Sequence, residues 1–227
     1  MSKIRVIIAD AQLEIIPKKL WKENAIVRDS NRRRRHPSKI LLYTPIHYTA
    51  MLKHGIDIEK HGRPDITQDI LKTITNHPIS REKDIEIYIY TNKGELIWVN
   101  SKTRIPHNYY QFEGLIVQLL NKGKVPPDSG TLMRISNEEI SKLLVDNAYL
   151  LHEEGEDIDK VKIPVNGDIT FVVGGFQKGD YSEEFLKIKR RISIYKEALY
   201  AGTATCILLT KLWIMMKQNT PENHYQL

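Results

Sequence analysis

The sequence predicts an α/β fold built on a mainly parallel β-sheet. Short apolar runs rich in β-branched residues, which are typical of buried strands, recur along the chain. Stretches with the helical spacing of apolar residues lie between these runs. A glycine-rich loop directly follows one predicted strand, at the place where open α/β sheets bind ligands. Strands that alternate with helices in this way form parallel sheets through crossover connections.

The first half of the chain is predicted to begin with a strand and to end with a β-hairpin. Apolar runs cover residues 4–9 and 40–43, and Ile85–Thr91 with Leu96–Val99 form the predicted hairpin. Predicted helices cover residues 17–24 and 46–54 and a stretch that Pro64 opens, with Gly55 as a C-terminal helix signal. A basic stretch over residues 28–37 separates the first helix from the second apolar run.

The second half of the chain continues the alternation of strands and helices. Predicted strands cover residues 148–151, 169–173 and 192–195. Helical patterns cover residues 112–120 and 201–217, and residues 136–139 (SNEE) match a capping box that opens a further helix. Residues 122–130, with two adjacent prolines, are predicted to form a loop.

Composition limits the class of protein. The 227 residues are 41% apolar and suffice for one large or two small domains. Cys206 is the single cysteine, which suits a reducing compartment, and no secretory signal or membrane span is evident. We therefore predict a cytoplasmic protein with no membrane partner. The 34 Lys and Arg against 28 Asp and Glu give a net charge of +6, which favours a polyanionic partner.

The glycine-rich loop at residues 174–179 (GGFQKG) is a candidate ligand site. Glycines allow backbone to approach a ligand closely. The sequence has neither the spacing of a Walker A motif nor that of a dinucleotide fingerprint. Both a small-molecule site and an ordinary tight turn fit this pattern.

Arg63 and Asp65 flank Pro64 at the start of a predicted helix. A carboxylate there is favoured by the helix dipole, so Asp65 can act as a helix cap. The same position also suits a carboxylate that accepts a substrate proton while Arg63 orients it or holds a phosphate.

Residues 100–112 and the arginine run at residues 32–35 are candidate RNA contacts. The first segment mixes cations, aromatic rings and amides, which suits phosphate contacts and stacking on unpaired bases. A solvated loop and a solvated charge run explain the same residues. His47 and His54 are seven residues apart without a carboxylate pair nearby, so no metal site is predicted.

Taken in order, these segments resemble a known family, the pseudouridine-specific methyltransferases and small-subunit assembly factors of the SPOUT class of knotted methyltransferases. The matching pieces are residues 41–51, with Leu41, Leu42, His47, Ala50 and Met51, then 63–66, 103–106 with Phe112, 114–120, 173–180 and 193–199. The short chain is most similar to archaeal members.

The resemblance implies a single SPOUT domain over residues 1–227 with a C-terminal trefoil knot and a family-specific N-terminal β-hairpin/helical extension. It implies RNA-binding insertions at about residues 28–60 and 85–112, and a cofactor-binding knot at about residues 147–217. It also implies a homodimer. S-adenosylmethionine is expected at Leu151, Gly174, Gly179, Ile194, Tyr195, Lys196, Glu197, Ala198 and Leu199.

The function implied is methylation of the N1 ring nitrogen of a pseudouridine in a loop of 16S ribosomal RNA, with a role in small-subunit assembly. Asp65 is expected to accept or orient the proton of that nitrogen, and Arg63 to position Asp65 and the RNA backbone. Further RNA contacts are expected from Arg32, Arg33, Arg34, Arg35, Arg104, His107 and Gln111. Small-subunit ribosomal proteins or assembly factors are further expected partners. Two alternatives remain open: a non-catalytic RNA-binding assembly factor, and a ribose 2′-O-methyltransferase.

Four positions depart from the family pattern. His107 and Gln111 stand where some relatives carry arginine, so phosphate contacts there are expected to be weaker or dependent on pH. Tyr43 stands where relatives often carry an acidic residue, and Ala198 replaces a frequent proline in the adenosine loop.

Overall fold

The computed structural model describes residues 3–128, 130–144, 146–164 and 167–218. Its strands are β1 (Ile4–Ala11), β2 (Ile85–Thr91), β3 (Leu96–Val99), β4 (Lys124–Val125), β5 (Met133–Ser136), β6 (Ala148–Asp157), β7 (Ile169–Gly174) and β8 (Arg190–Ser193). Its α-helices are α1 (Asn24–Arg33), α2 (Thr44–Lys53), α3 (Pro64–Asn76), α4 (Ile79–Glu82), α5 (Tyr109–Lys122), α6 (Glu183–Leu186) and α7 (Ala201–Gln218).

The strands form one sheet with the order β4-β5-β3-β2-β1-β7-β6-β8. Strand β1 pairs in parallel with β2 and β7, and β6 pairs in parallel with β7 and β8. Strands β3, β4 and β5 extend the sheet through antiparallel pairs. The predicted α/β class, the mostly parallel sheet and the hairpin of β2 with β3 are confirmed.

The core lies on both faces of β1. Val6, Ile7 and Ile8 are fully buried, as a central strand covered on both faces requires. One face packs against apolar residues of α3, α5 and α7, and the other face packs against a smaller cluster around Phe185. A third cluster holds α1 and α2 together and includes Met51. The first of these clusters fixes helices α3 and α5 against the sheet.

The prediction of a helix over residues 17–24 is wrong. Only a 3₁₀ turn, Lys18–Leu20, forms there, and residues 28–33 of the basic stretch that follows lie on α1. Helix α1 is absent from the apolar pattern because its buried positions are Ile26, Asp29 and Ser30, two of which are polar. A buried polar face gives no periodic apolar signal.

Three other local predictions also differ from the structure. Residues 136–139 are not a capping box, because Ser136 ends β5 and its Oγ accepts the Glu138 N–H at 3.3 Å. The apolar run at residues 40–43 adds no strand to the sheet and makes an isolated bridge between Leu41 and Ile15. The predicted loop at residues 122–130 contains the short strand β4.

Candidate active site

A cavity of about 650 Å³ opens beyond the carboxyl ends of the strands around β7. It is lined by residues 151–153 of β6, by the glycine loop and by the segment that leads from β8 into α7. Of the residues predicted to bind the cofactor, those that line it are Leu151, Gly174, Gly179, Ile194, Tyr195, Glu197, Ala198 and Leu199. Lys196 does not line it, and its ammonium group lies 3.8 Å from the Glu197 carboxylate.

The glycine loop is held against β1 by close packing. The Gly175 N–H donates to the Ala9 carbonyl at 2.7 Å, and a Cβ on Gly175 would lie 2.8 Å from Ile8 Cγ2. Gly179 has φ +98°, in the left-handed region that favours glycine, and a Cβ there would meet no atom within 4 Å. Packing therefore requires glycine at one end of the loop, and backbone geometry requires it at the other.

Tyr181 lines the cavity. Its hydroxyl donates to the Leu151 carbonyl at 2.6 Å, and its ring meets Phe176 edge to face at 5.0 Å between centroids. Burial raises the pKa of the Tyr181 hydroxyl, so the group stays protonated and remains a donor. A Cβ on Gly174 would lie 3.0 Å from the Phe176 ring and 3.3 Å from the Tyr181 hydroxyl, so glycine avoids close contacts with both side chains.

Arg63 and Asp65 form a bidentate ion pair at the rim of the cavity. Arg63 Nε and Nη2 each donate to one Asp65 carboxylate oxygen at 2.8 Å. Arg63 Nη1 donates to Gln177 Oε1 of the glycine loop at 2.5 Å, and Arg63 itself lines the cavity. The Asp65 carboxylate raises the pKa of Arg63 through its hydrogen bonds with Arg63 Nε and Nη2.

Helix capping does not account for the Asp65 carboxylate. Helix α3 starts after Arg63 and has no side-chain cap hydrogen bond, although Asp65 lies in its first turn. Both carboxylate oxygens are instead directed to the guanidinium of Arg63. The pair is partly exposed, and of its two members Arg63 lines the cavity and Asp65 does not.

Aromatic residues surround the ion pair. Tyr43 stacks on Tyr109 with 4.6 Å between centroids and an interplanar angle of 26°. Burial raises the pKa of Tyr43, and the negative charge of Asp65 raises it further, so its hydroxyl is neutral beside the carboxylate. Tyr200, which also lines the cavity, is 88% exposed. Sequence reasoning identified Tyr43 as a departure from the family pattern but gave it no role.

The predicted RNA contacts Arg104, His107 and Gln111 are exposed on the loop before α5 and on its first turn. This loop is tied to helix α3 by Gln68, which sequence reasoning missed. Gln68 is buried one turn after Asp65, and its Nε2 donates to the carbonyls of Pro106 at 2.7 Å and His107 at 3.2 Å. A polar residue on the buried face of an amphipathic helix was the available signal.

The arginine run divides into exposed and buried members. Arg34 and Arg35 are exposed and have no carboxylate within ion-pair distance in the described parts of the chain. Arg32 is exposed as well, and its Nη2 lies 2.8 Å from Asp29 Oδ1.

Arg33 is the buried member, with an 8% exposed side chain. It bonds Asp29 and both carboxylate oxygens of Glu113. Arg33 Nη2 has no hydrogen-bond partner among the described residues, but it is buried and out of reach of a phosphate group. This burial argues against the predicted RNA contact of Arg33.

The comparisons with known proteins agree on one family. Residues 6–212 match the EMG1/NEP1 methyltransferase family. This chain belongs to that family. It is 42% identical over 205 residues to the ribosomal RNA small subunit methyltransferase Nep1 of Staphylothermus marinus, covering 86% of this chain and 89% of that protein. The Nep1 of Pyrococcus furiosus is 32% identical over 230 residues, covering 95% and 99%.

A solved structure of the same family has the same fold. The crystal structure of Archaeoglobus fulgidus Nep1 bound to S-adenosylhomocysteine superposes with a TM-score of 0.81 at 29% identity, covering 95% of this chain and 99% of the other. The resemblance to the archaeal rRNA methyltransferases inferred from sequence is confirmed.

His47, one of the residues that this EMG1/NEP1 chain shares with the family pattern, has a structural position. Its Nδ1 accepts the Tyr43 N–H at 2.9 Å, so the ring proton lies on Nε2, which is 3.3 Å from Asp29 Oδ2. Burial lowers the pKa of His47, which keeps the ring neutral. The ring thereby links α2 to α1.

A metal-binding cluster and a membrane-spanning helix are absent from the described residues, and a second cleft is not lined by predicted site residues. No group of three or more His, Cys, Asp and Glu side chains is placed to hold a metal ion in the described part of this EMG1/NEP1 chain. Within the same residues, no helix is both long and apolar enough to cross a membrane. A second cleft of about 670 Å³, near Arg190 and Tyr149, has none of the predicted site residues in its lining.

Proposed function

We propose that this chain is an S-adenosylmethionine-dependent methyltransferase of small-subunit ribosomal RNA that methylates N1 of a pseudouridine. The relatives named above are ribosomal RNA small subunit methyltransferases, and the solved neighbour holds S-adenosylhomocysteine, the donor without its methyl group. The observation that carries the proposal is the hydrogen bond between Arg63 and Gln177, which joins the ion pair to the glycine loop at one cavity.

The cavity fits the methyl donor in size and lining. Its volume of about 650 Å³ lies in the usual range for small-molecule sites. Gly174, Gly179 and the segment from Ile194 to Leu199 would hold the donor largely through backbone groups, and Leu151 would contact it from β6. Bound there, S-adenosylmethionine supplies an electrophilic methyl group.

The chemistry left to the protein is removal of a proton. N1 of pseudouridine is free of the ribose and carries a hydrogen, which must leave as the new nitrogen–carbon bond forms. A carboxylate oxygen has two lone-pair sites, and each Asp65 oxygen uses one for Arg63, so one remains to accept the N1 proton directly or through water. Arg63 fixes the carboxylate plane and offers positive charge to the RNA backbone.

We extend the proposal to a single domain over residues 1–227 with a trefoil knot at about residues 147–217. Close contact between β8 and the bend in β6 supports the knot, because Ile192 pairs with both Leu151 and Glu156. A Cβ on Gly155 would lie 2.6 Å from the Ile192 backbone. The N-terminal extension and the RNA-binding insertions at about residues 28–60 and 85–112 belong to the same proposal.

We also propose a homodimer that forms on the surface around the cavity. Three exposed large apolar side chains line the cavity, namely Tyr195, Leu199 and Tyr200. An exposed apolar patch of this kind marks an interaction surface, and a two-fold dimer is the commonest way to cover one. A partner copy would shield the open side of the donor site.

The proposed RNA surface joins the ion pair to exposed cations on two elements. It comprises Arg32, Arg34, Arg35, Arg63, Arg104, His107 and Gln111. The target is a pseudouridine-containing loop of 16S ribosomal RNA, and assembly factors or small-subunit ribosomal proteins are further proposed partners. The proposal includes a cytoplasmic location, because a single cysteine and an RNA substrate suit that compartment.

The function is tested with two RNA stem-loops that differ in one nucleotide. The loop carrying pseudouridine should accept a methyl group from S-adenosylmethionine, and the matched loop carrying uridine should not, because the equivalent nitrogen of uridine has no proton. Mass spectrometry of the digested RNA measures the product. Equal methylation of both loops would favour a ribose 2′-O-methyltransferase. Binding of RNA without binding of donor would favour an assembly factor.

Replacement of Arg104 should weaken RNA binding without affecting the donor. Arg104 is exposed on the loop that Gln68 ties to α3, so Arg104→Ala removes one cation from the proposed surface. The slope of log affinity against log salt should fall in magnitude by about 0.7, the contribution of one phosphate on single-stranded RNA. Filter binding over a salt series measures the slope, with the exposed Arg81→Ala of α4 as the control. Identical slopes for both variants would make Arg104 a structural residue.

A further inference from the structure

In the segment that precedes Arg63, each backbone carbonyl accepts a hydrogen bond from another part of the chain. The segment comprises residues 59–62, between α2 and α3, and has no helix or strand of its own. Gln12 Nε2 donates to the Glu59 carbonyl at 2.7 Å, and Asn92 Nδ2 donates to the Lys60 carbonyl at 3.0 Å. Gln12 is fully buried, so its amide is fixed by the surrounding core.

The start of α2 holds the next two carbonyls. Thr44 Oγ1 donates to the His61 carbonyl at 2.8 Å, and the Thr44 N–H donates to the Gly62 carbonyl at 2.7 Å. Gly62 has φ +79°, and a Cβ on it would lie 2.5 Å from Thr44 Oγ1, so only glycine fits this turn. Four successive carbonyls are therefore fixed immediately before Arg63.

An ion pair adds a side-chain anchor to the 59–62 segment. His61 Nδ1 lies 2.6 Å from Glu14 Oε1, and the Glu14 side chain is only 3% exposed. Glu14 follows β1, so this contact joins the segment to the central strand. Lys93 Nζ, from the turn between β2 and β3, lies 3.5 Å from the other Glu14 oxygen.

The same segment also reaches the glycine loop. Lys178 Nζ lies 2.9 Å from Glu59 Oε1, next to Gln177, which bonds Arg63. The orientation of Arg63 therefore depends on both ends of its segment. A shift of the segment would move the guanidinium that fixes the Asp65 carboxylate.

We infer that Glu14 and His61 are positioning residues, which act through the 59–62 segment to hold Arg63, and through it Asp65, in the orientation that methyl transfer requires. The inference rests on the proposed function, since it concerns the same ion pair. Neither residue contacts the cavity, so both act through Arg63. A misplacement of about 1 Å at a reacting group can cost about 100-fold in rate.

This arrangement makes positioning dependent on pH. The Glu14 hydrogen bond raises the pKa of His61 above its ordinary value of 6.5; Asp57 adds to the shift, and Lys93 opposes it. Among the described residues, Asn92 Nδ2 also lies near the ring, 3.3 Å from His61 Nδ1. A raised histidine pKa means that the charged contact is fully present below pH 6.5. It is lost as the pH rises through the pKa of the folded state.

The test compares Glu14→Gln with the wild-type chain in steady-state methylation of the pseudouridine stem-loop over a pH series. Glutamine keeps the size and one acceptor but removes the charge. We expect kcat at pH 6.5 to fall about 10-fold, since charge-assisted hydrogen bonds are roughly twice as strong as neutral ones. We expect KM for the donor to be unchanged. The fall in kcat that the wild-type chain shows as His61 loses its proton should disappear in the variant.

Glu23→Gln is the matched control, because Glu23 makes the same kind of contact with His54 at 2.8 Å, away from the 59–62 segment. It should keep the wild-type pH profile. A second measurement does not depend on activity: the NMR resonance of Arg63 Nε–H, which reports its bond to Asp65, should shift or broaden in Glu14→Gln and not in Glu23→Gln. Two folded variants with the same kcat, pH profile and Arg63 resonance would overturn the inference. Absence of methylation by the wild-type chain would instead overturn the proposed function.

Discussion

Asp65→Asn should abolish most methyl transfer while the protein stays folded and binds the donor. The carboxylate is the proposed acceptor of the N1 proton, and loss of a general base typically costs about 100- to 10,000-fold in rate. An amide offers one oxygen and two amide hydrogens, so Arg63 loses its bidentate partner as well. The expected loss of stability is about 1 kcal/mol or less, because the ion pair is partly exposed.

The control for this variant lies one turn along the same helix. Asp69 is an exposed carboxylate of α3 that lies 3.6 Å from Lys72, and Asp69→Asn removes a charge at a similar place without touching the ion pair. Single-turnover methylation measures the rate of the chemical step, and calorimetry measures donor affinity. If Asp65→Asn and Asp69→Asn methylate at similar rates, Asp65 serves the helix and another group removes the proton.

The parts of the fold that follow from local sequence were predictable. Ile85–Thr91 alternates strongly, the apolar segment Leu96–Val99 follows it after a short turn, and the two segments pair as β2 and β3. Pro64 opens α3, and Gly55 follows the end of α2 with φ +61°. Each of these features is fixed by residues within a few positions of one another.

Helix α1 could not be predicted because distant partners stabilise its buried face. Asp29 and Arg33 are buried on it, and Arg33 pairs with Glu113 of α5, 80 residues away. Taken from the sequence alone, the run of arginines has the appearance of a solvated or phosphate-binding stretch. Only the folded chain shows that Arg33 is buried between the carboxylates of Asp29 and Glu113.

The candidate site was predictable in its residues but not in its assembly. Arg63, Asp65 and the glycine loop were identified from local patterns and from the family resemblance. The link between them is the contact of Arg63 with Gln177, which are 114 residues apart. The 59–62 segment was not predictable at all, because its backbone carbonyls are acceptors in every sequence and only the tertiary fold supplies their donors.

Gly155→Ala should destabilise the protein more than any other glycine-to-alanine change in β6–β8. A Cβ at this position would lie 2.6 Å from two backbone atoms of Ile192 and 2.7 Å from one of Arg191. Backbone cannot move aside as a flexible side chain can, so we expect a loss of about 3 kcal/mol in the free energy of unfolding. Ile192 also lines the cavity, so donor affinity should fall with it. Urea unfolding followed by tryptophan fluorescence measures the first effect, and calorimetry with S-adenosylhomocysteine measures the second.

Gly130→Ala, where a Cβ would meet no atom within 4 Å, should stay within about 0.5 kcal/mol of the wild-type chain. Equal stability of the two variants would show that β8 does not pack against the bend of β6, and the proposed knot would lose the contact that supports it.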